Sequence, residues 1–393
     1  MSRLLPSFAL ATVGVLSLAA CGGSATTTDS KSSHIKVTLT SSGDCTYSAT
    51  SVPAGPITFD ISNTGAPGLS EFEVMTGERI IGERENVAPG LPAATFTLTL
   101  DGGAYTLYCP GANTEKTTLT VTGKAAAKAS GSAADLLAQG AAEYQTYVQA
   151  QVDGMVTAVG RLHEAVESGD LAAAQRAYGE ARPFYEKIES DVEGFLLPGA
   201  AAGDNAANLD YLIDMRASNL DPAVGWTGFH AVERDLFEKK AITEQTKTYA
   251  HDLDTNVQKL ATVAKTLTFK PEDLANGAAG LLEEVQKNKV TGEEEAFSHL
   301  DLVDLASNVE GAQQAFEALK PGLAKINPTL STQIDQRFGR VQSLLDSLRS
   351  RTAIGGYVTY TATVRAAEAD RISQAVQALQ DPLSQIAEKV ATA

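Results

Sequence analysis

His230 and Glu233 stand three residues apart in GWTGFHAVERDLF (225–237), beside Trp226, the only tryptophan of a 393-residue chain with five histidines. Three further groups use similar spacings. Glu186 and Glu189 lie at i and i+3 in RPFYEKIESD, and Asp210 and Asp214 at i and i+4 in NLDYLIDMR. TGEEEAFSHLDL gathers Glu293, Glu294, Glu295 and His299 at the start of a helix. Side chains three or four apart share a helical face, so each group can present its ligand atoms together. Apolar residues interleave with them: Tyr185 and Ile188, Leu212 and Ile213, Phe229 and Val232. A helix that buries those residues draws some neighbouring carboxylates inward, where each must be protonated, matched by Arg or Lys, or neutralised by a cation. Helical bundles with inward Glu and His residues from several helices are typically metal sites. Oxygen-dominated ligation with one imidazole suits iron, manganese or zinc better than copper. Arg182, Arg216 and Arg234 are near enough in sequence to provide salt bridges instead, and a solvated helical face is the third reading.

These groups belong to a long helical region, residues 135–393. Apolar residues recur at three and four in SAADLLAQGAAEYQTYVQAQVDGMVTAVGRLHEAVESGD, in AITEQTKTYAHDLDTNVQKLATVAKTL and in five further stretches. Asp, Asn, Ser or Pro opens several of them as a cap or first-turn residue. Seven or more long helices with short links predict one or two antiparallel bundles. Residues 34–123 read differently. HIKVTLT, ITFDISN, EFEVMTG, ATFTLTL, AYTLYC and TTLTVTG alternate with period two between turn signals such as PAGP and DGG. They predict a small Greek-key β-sandwich. Cys45 and Cys109 fall at its two ends and admit three readings: a disulfide, a soft metal site with a carboxylate such as Glu71, or two free thiols. No His and Met follow Cys109 at the short intervals of a blue-copper loop, which disfavours an electron-transfer copper site. KAAAKASGSAA (124–134) is a low-complexity linker between the two regions.

The N-terminus is a targeting segment. Arg3 precedes an apolar run ending in Leu18-Ala19-Ala20-Cys21, the pattern of a bacterial lipoprotein signal whose cysteine takes a diacylglycerol. Residues 1–20 are then the signal peptide, Cys21 the lipid anchor, and residues 21–33 a flexible stalk. The expected location is the extracytoplasmic face of a bacterial cytoplasmic membrane. The formal charge is −17, from 31 basic and 48 acidic residues. Removing residues 1–20 takes away one arginine and no acid, which leaves −18. So acidic a chain repels nucleic acid and attracts cations.

Trp226-Thr227-Gly228-Phe229-His230 with Glu233 resembles the H-x-x-E signature of the imelysin group, the M75 peptidase-like domains. RPFYEKIE, LIDMR and TGEEEAFSHLDLVDLASNVEGA resemble that family's other blocks. The N-terminal region, through GERENVAPG (82–90), Cys45 and Cys109, resembles the cupredoxin-like domain of EfeO-type lipoproteins, extracytoplasmic components of EfeUOB iron-uptake systems. The resemblance implies two helical bundles around a metal-binding cleft, with ligands at Glu186, Glu189, Asp214, His230, Glu233 and Glu294. It implies a second candidate site at Cys45, Glu71 and Cys109. Leu107 stands where relatives can carry a methionine, which weakens copper binding, and LPGAAAGDNAAN (197–208) is longer than usual. The implied function is capture of iron, as Fe2+ or Fe3+, for a membrane permease, with a haem peroxidase as further partner; zinc and copper are the alternative metals. No enzymatic activity is expected. A metallopeptidase is the alternative, but H-x-x-E differs from the H-E-x-x-H zinc helix and no second histidine is placed for a metal. A metal-free scaffold lipoprotein is the third class.

Overall fold

The computed structural model describes residues 32–393, apart from 78, 85–86, 92, 126–130, 193–194 and 202. The signal segment, Cys21 and nearly all of the stalk lie outside the described residues. Among the described residues nine strands form the N-terminal region: β1 (Ser33–Leu39), β2 (Cys45–Tyr47), β3 (Ser51–Pro53), β4 (Gly55–Asn63), β5 (Phe72–Thr76), β6 (Arg79–Arg84), β7 (Ala94–Leu100), β8 (Gly103–Tyr108) and β9 (Lys116–Thr122). One sheet has the order β2-β1-β4-β7 and the other β3-β9-β8-β5-β6. Both sheets are mixed, because β1 runs parallel to β4 and β3 parallel to β9. The alternation read in the sequence sends Ile57, Phe59 and Ile61 of β4 into the core. There Phe59 stacks on Phe96, ring centroids 5.1 Å apart, and Phe72 closes the cluster.

Cys45 opens β2 in the first sheet and Cys109 directly follows β8 in the second; a disulfide joins them. Of the three readings of this pair, the structure takes the first, and the bond fastens one sheet to the other. With both sulfurs in that bond, the site drawn from Cys45, Glu71 and Cys109 has no thiolate to offer a metal.

Eleven α-helices follow among the described residues: α1 (Ser132–Ser168), α2 (Leu171–Glu186), α3 (Glu189–Val192), α4 (Leu209–Asp214), α5 (Gly228–Glu233), α6 (Glu244–Ala264), α7 (Pro271–Lys287), α8 (Asp301–Ile326), α9 (Pro328–Asp346), α10 (Ala362–Leu383) and α11 (Ile386–Ala391). Helix α1 packs on α2, α6 and α8, while α7 packs on α8, α10 and α11 and α9 on α8 and α10. Because α8 serves both groups, their apolar faces merge into one continuous core. Gly311 on α8 lets that helix approach the end of α2 closely, where a Cβ would overlap the Lys187 carbonyl oxygen. Among the described residues no helix is long and apolar enough to cross a membrane.

The two regions meet along β7, an edge strand of the first sheet. Asn276 of α7 donates to the Thr97 carbonyl at 2.6 Å and accepts from its N–H, and Lys270 donates to the Thr99 carbonyl. Side chains of the helical region therefore fill the open hydrogen-bonding edge that a lone sheet would leave exposed.

Glu73 on β5 is buried. Burial, the Glu71 charge and a hydrogen bond to Glu71 push its carboxyl up to about 9, from an ordinary 4.5. The folded state keeps this proton over a pH range in which the unfolded chain has lost it. Its contribution to stability is therefore fully present below about 4.5 and is lost as pH rises through about 9. Glu73→Gln, permanently neutral, should melt about 5 °C above the parent at pH 8, with the gap closing as the pH falls towards 4.5 in calorimetric scans. A gap that widens on acidification would refute this account.

Candidate metal centre

Four interruptions in the helical chain bring the acidic groups together. Helix α2 ends at Glu186 and α3 begins at Glu189, so the pair flanks a break rather than lying on one straight helix. Helix α4 stops at Asp214, where Met215 turns to φ −54°, ψ 120°. Helix α5 starts at Gly228 with φ 67°, pressed so closely on α4 that a Cβ would overlap the Ile213 carbonyl oxygen. Glycine is required there on both counts, and the close approach sets His230 beside Asp214. After Glu233 the chain continues as a π-helical turn, Arg234–Glu238. The fourth interruption is the irregular stretch from Asn288 to Leu300, which carries Lys289, Glu294 and Glu295.

Arg182 is the hub. Fully buried on α2, its guanidinium bonds Glu186 and Asp214 and reaches Asp304 at 3.0 Å, Glu295 at 3.2 Å and Glu294 at 3.3 Å. Lys289, equally buried, lies 3.1 Å from Glu186, 3.4 Å from Glu189 and 3.5 Å from Glu294. Arg216 meets Glu284 at 3.0 Å and Glu294 at 3.3 Å. Seven carboxylates, those of Glu186, Glu189, Asp214, Glu284, Glu294, Glu295 and Asp304, thus face three cations. Among the described residues the carboxylates of this cluster outnumber its arginine and lysine partners.

Electrostatics divides the cluster. Burial, then the neighbouring Glu186, raises Glu189 well above the ordinary carboxylate range. Burial also raises Glu186, Glu295 and Asp304. Glu294 goes the other way: burial pushes it up, but Lys289, Arg216 and Arg182 together outweigh that and hold it low. Burial therefore penalises the charged form of these acids, a cost that a cation placed among them would offset.

His230 is buried at 1% exposure, and its Nδ1 is 2.9 Å from Glu233 Oε2. The other Glu233 oxygen accepts from the Phe297 and Ser298 backbone N–H groups at 2.8 and 2.7 Å. Held this way, the imidazole carries its proton on Nδ1, and Nε2 has no hydrogen-bond partner, lying 3.6 Å from Asp214 Oδ1. Burial opposes a charge on this ring and the Glu233 hydrogen bond outweighs it, so its pKa is raised. One oxygen each of Glu186, Glu189, Asp214 and Glu294 lie within 4.8 Å of one another, and a His230 nitrogen joins Asp214 and Glu294 in a second such set.

Of the residues expected as ligands, five converge: Glu186, Glu189, Asp214, His230 and Glu294. Glu233 does not join them, since both its oxygens serve other groups; it orients the histidine. Of the three arginines, Arg182 and Arg216 are in the cluster, while Arg234 lies over the Trp226 ring at 4.0 Å. Trp226 also packs against Phe297, whose N–H holds Glu233, and so braces the outer side of the H-x-x-E turn. Asp210 accepts from the Tyr185 hydroxyl, Glu293 from Ser218, and His299 is exposed. In the β region Glu71 is grouped not with sulfur but with Glu73 and Glu83.

Lys289, Asp304 and Asn308 were not anticipated. Asn308 donates to the Glu186 carbonyl at 2.7 Å and to Glu189 at 3.1 Å. Asp301, Asp304 and Asn308 follow helical spacing inside the apolar run DLVDLASNV, a signal for inward polar groups. Nothing in KNKV marks Lys289.

The family description Imelysin, peptidase M75, matches residues 140–386. The chain is 34% identical over 362 residues to the iron uptake system component EfeO of Escherichia coli K12, covering 91% of this chain and 90% of that protein. The same figures hold for the EfeO proteins of Shigella flexneri and Escherichia coli O157:H7. With the family description covering more than half of the chain, and its H-x-x-E histidine set among buried carboxylates, the chain belongs to the imelysin family.

Proposed function

We propose that this protein is the extracytoplasmic, lipid-anchored component of an EfeUOB-type iron uptake system, capturing iron and delivering it to a membrane permease. A haem peroxidase is the further partner. In this reading residues 1–20 are cleaved, Cys21 carries the lipid, and residues 21–33 form the stalk. Residues 34–123 form the β domain, 124–134 the linker and 135–393 the iron-binding domain. Iron is the cargo, held by Glu186, Glu189, Asp214, His230 and Glu294, with Glu233 fixing the imidazole.

The observation that carries the proposal is the unpartnered Nε2 of buried His230, set against a carboxylate group with more negative than positive charge. A buried imidazole nitrogen needs a partner, and surplus buried carboxylates need protons or a cation. One ion satisfies both. Hard oxygens with one nitrogen suit iron in either oxidation state. The relatives' names point to iron uptake, and the acidic chain draws cations towards it. A peptidase would need a free base to activate water, and Glu233 has both oxygens committed.

Glu186→Gln with Glu189→Gln should weaken iron binding to the mature chain by more than about 100-fold, beyond the loss of a single outer partner. The metal-dependent rise in melting temperature should vanish with it. Retained iron by elemental analysis would defeat the ligand assignment. Glu233→Gln should fold normally yet bind about 10–100-fold more weakly, as read by chelator competition; parent-like affinity would remove its orienting role. Cys21→Ser should move the protein from the detergent to the aqueous phase in Triton X-114 partitioning, whereas an unchanged distribution argues against the anchor.

A further inference from the structure

We infer that Lys289 is a built-in rival of the cargo: its ammonium stands in for the ion among Glu186, Glu189 and Glu294 and leaves them when a metal enters. Lys289 thereby sets how tightly the site holds its ion and helps expel it. The inference rests on the ion site proposed above.

Partner lists separate the two buried cations. Arg182 also contacts Asp304 and Glu295, which lie outside the converging ligand group, and its guanidinium lies 5.1 Å from the Phe229 ring centroid. It keeps those contacts whatever occupies the site. Lys289 has no such reserve. Among the described residues its three ion-pair partners are Glu186, Glu189 and Glu294, all members of the group whose oxygens lie within 4.8 Å of one another. A metal ion draws carboxylate oxygens to about 2.0–2.2 Å, so it needs the same oxygens that the ammonium holds, and two cations at that spacing repel.

Lysine is also the residue that can yield. Its charge is a point at the end of a flexible four-carbon stem, unlike the planar fork of arginine. The backbone around it stays in place: Tyr360 donates to the Val290 carbonyl at 3.0 Å and Arg365 to the Thr291 carbonyl at 2.8 Å. Movement is left to the side chain. In the metal-free state the ammonium keeps the three carboxylates from repelling one another, so the site is already assembled when an ion arrives. On release it returns to them, which favours handing the ion on.

The test uses redox-inert Zn2+ on the mature chain, titrated in competition with a chromophoric chelator. Lys289→Met keeps the stem and removes the charge. It should lower the metal-free melting temperature and tighten Zn2+ binding about tenfold or more, the least expected from removing one unit charge about 4 Å away. Lys289→Arg, which keeps the charge, should bind no more tightly than the parent. A folded Lys289→Met that binds Zn2+ no tighter overturns the inference. Should that variant not fold, a crystal structure of the parent with Zn2+ decides: Nζ withdrawn from Glu186 and Glu189 supports it, and Nζ still bonded to both overturns it. A parent chain that binds neither Zn2+ nor iron defeats the iron-binding reading itself, a result distinct from both.

Discussion

A guanidinium sealed from water with five carboxylates in reach is the interaction around which the helical domain is organised. Taking charged groups out of water is costly, and removing one partner of a buried pair typically costs about 3–5 kcal/mol. Arg182 is therefore held as firmly by its acids as they are by it. The arrangement is lopsided all the same, because carboxylates outnumber cations. Burial first, and the neighbouring carboxylates after it, raises the pKa values of Glu186, Glu189, Glu295 and Asp304. A cluster of this kind is stable enough to fold and still gains from a further positive charge.

Helices α1 and α6 supply apolar surface, and α2, α7 and α8 contribute Arg182, Glu284 and Asp304 from within their length. The other ionic groups come from places where helices stop, turn or loosen. Glu186 and Glu189 flank the break between α2 and α3, Asp214 ends α4, and Gly228 allows α5 to begin against it. His299, at φ 58°, is one of two non-glycine residues with positive φ among those described. It lies in the stretch that carries Glu294 and Glu295, where its carbonyl accepts from the Tyr360 N–H at 2.9 Å. Strain of this sort costs about 1–3 kcal/mol and persists where the surroundings fix it. In the same stretch Glu294 meets Lys289 and Arg216, Glu295 meets Tyr178, and both meet Arg182.

The β domain is joined to this scaffold by its backbone. Its edge strand β7 borrows Asn276 and Lys270, and His34 at its first strand lies 3.4 Å from Glu388 of α11. Its cysteines are committed to a disulfide, so any ion chemistry there falls to Glu71, Glu73 and Glu83. Of these, Glu73 keeps its proton to about pH 9.

The sequence by itself determined the strand and helix regions, because period-two and period-3.6 patterns follow from local geometry and the need to hide one face. It marked most of the buried cluster as well, since Glu186 and Glu189, Asp214 and His230 each lie beside apolar residues that must be buried. What it could not decide was direction. The i, i+3 spacing of His230 and Glu233 suits two ligands of one ion and equally a histidine with its orienting carboxylate. Tertiary packing brings the Phe297 and Ser298 N–H groups, more than sixty residues away, onto one Glu233 oxygen and leaves the other to His230. Lys289 was invisible for the same reason: a lone lysine at a helix end is ordinarily solvated, and its burial follows from the loop and α10 closing over it. Local patterns set which faces are apolar; tertiary packing sets which charges meet.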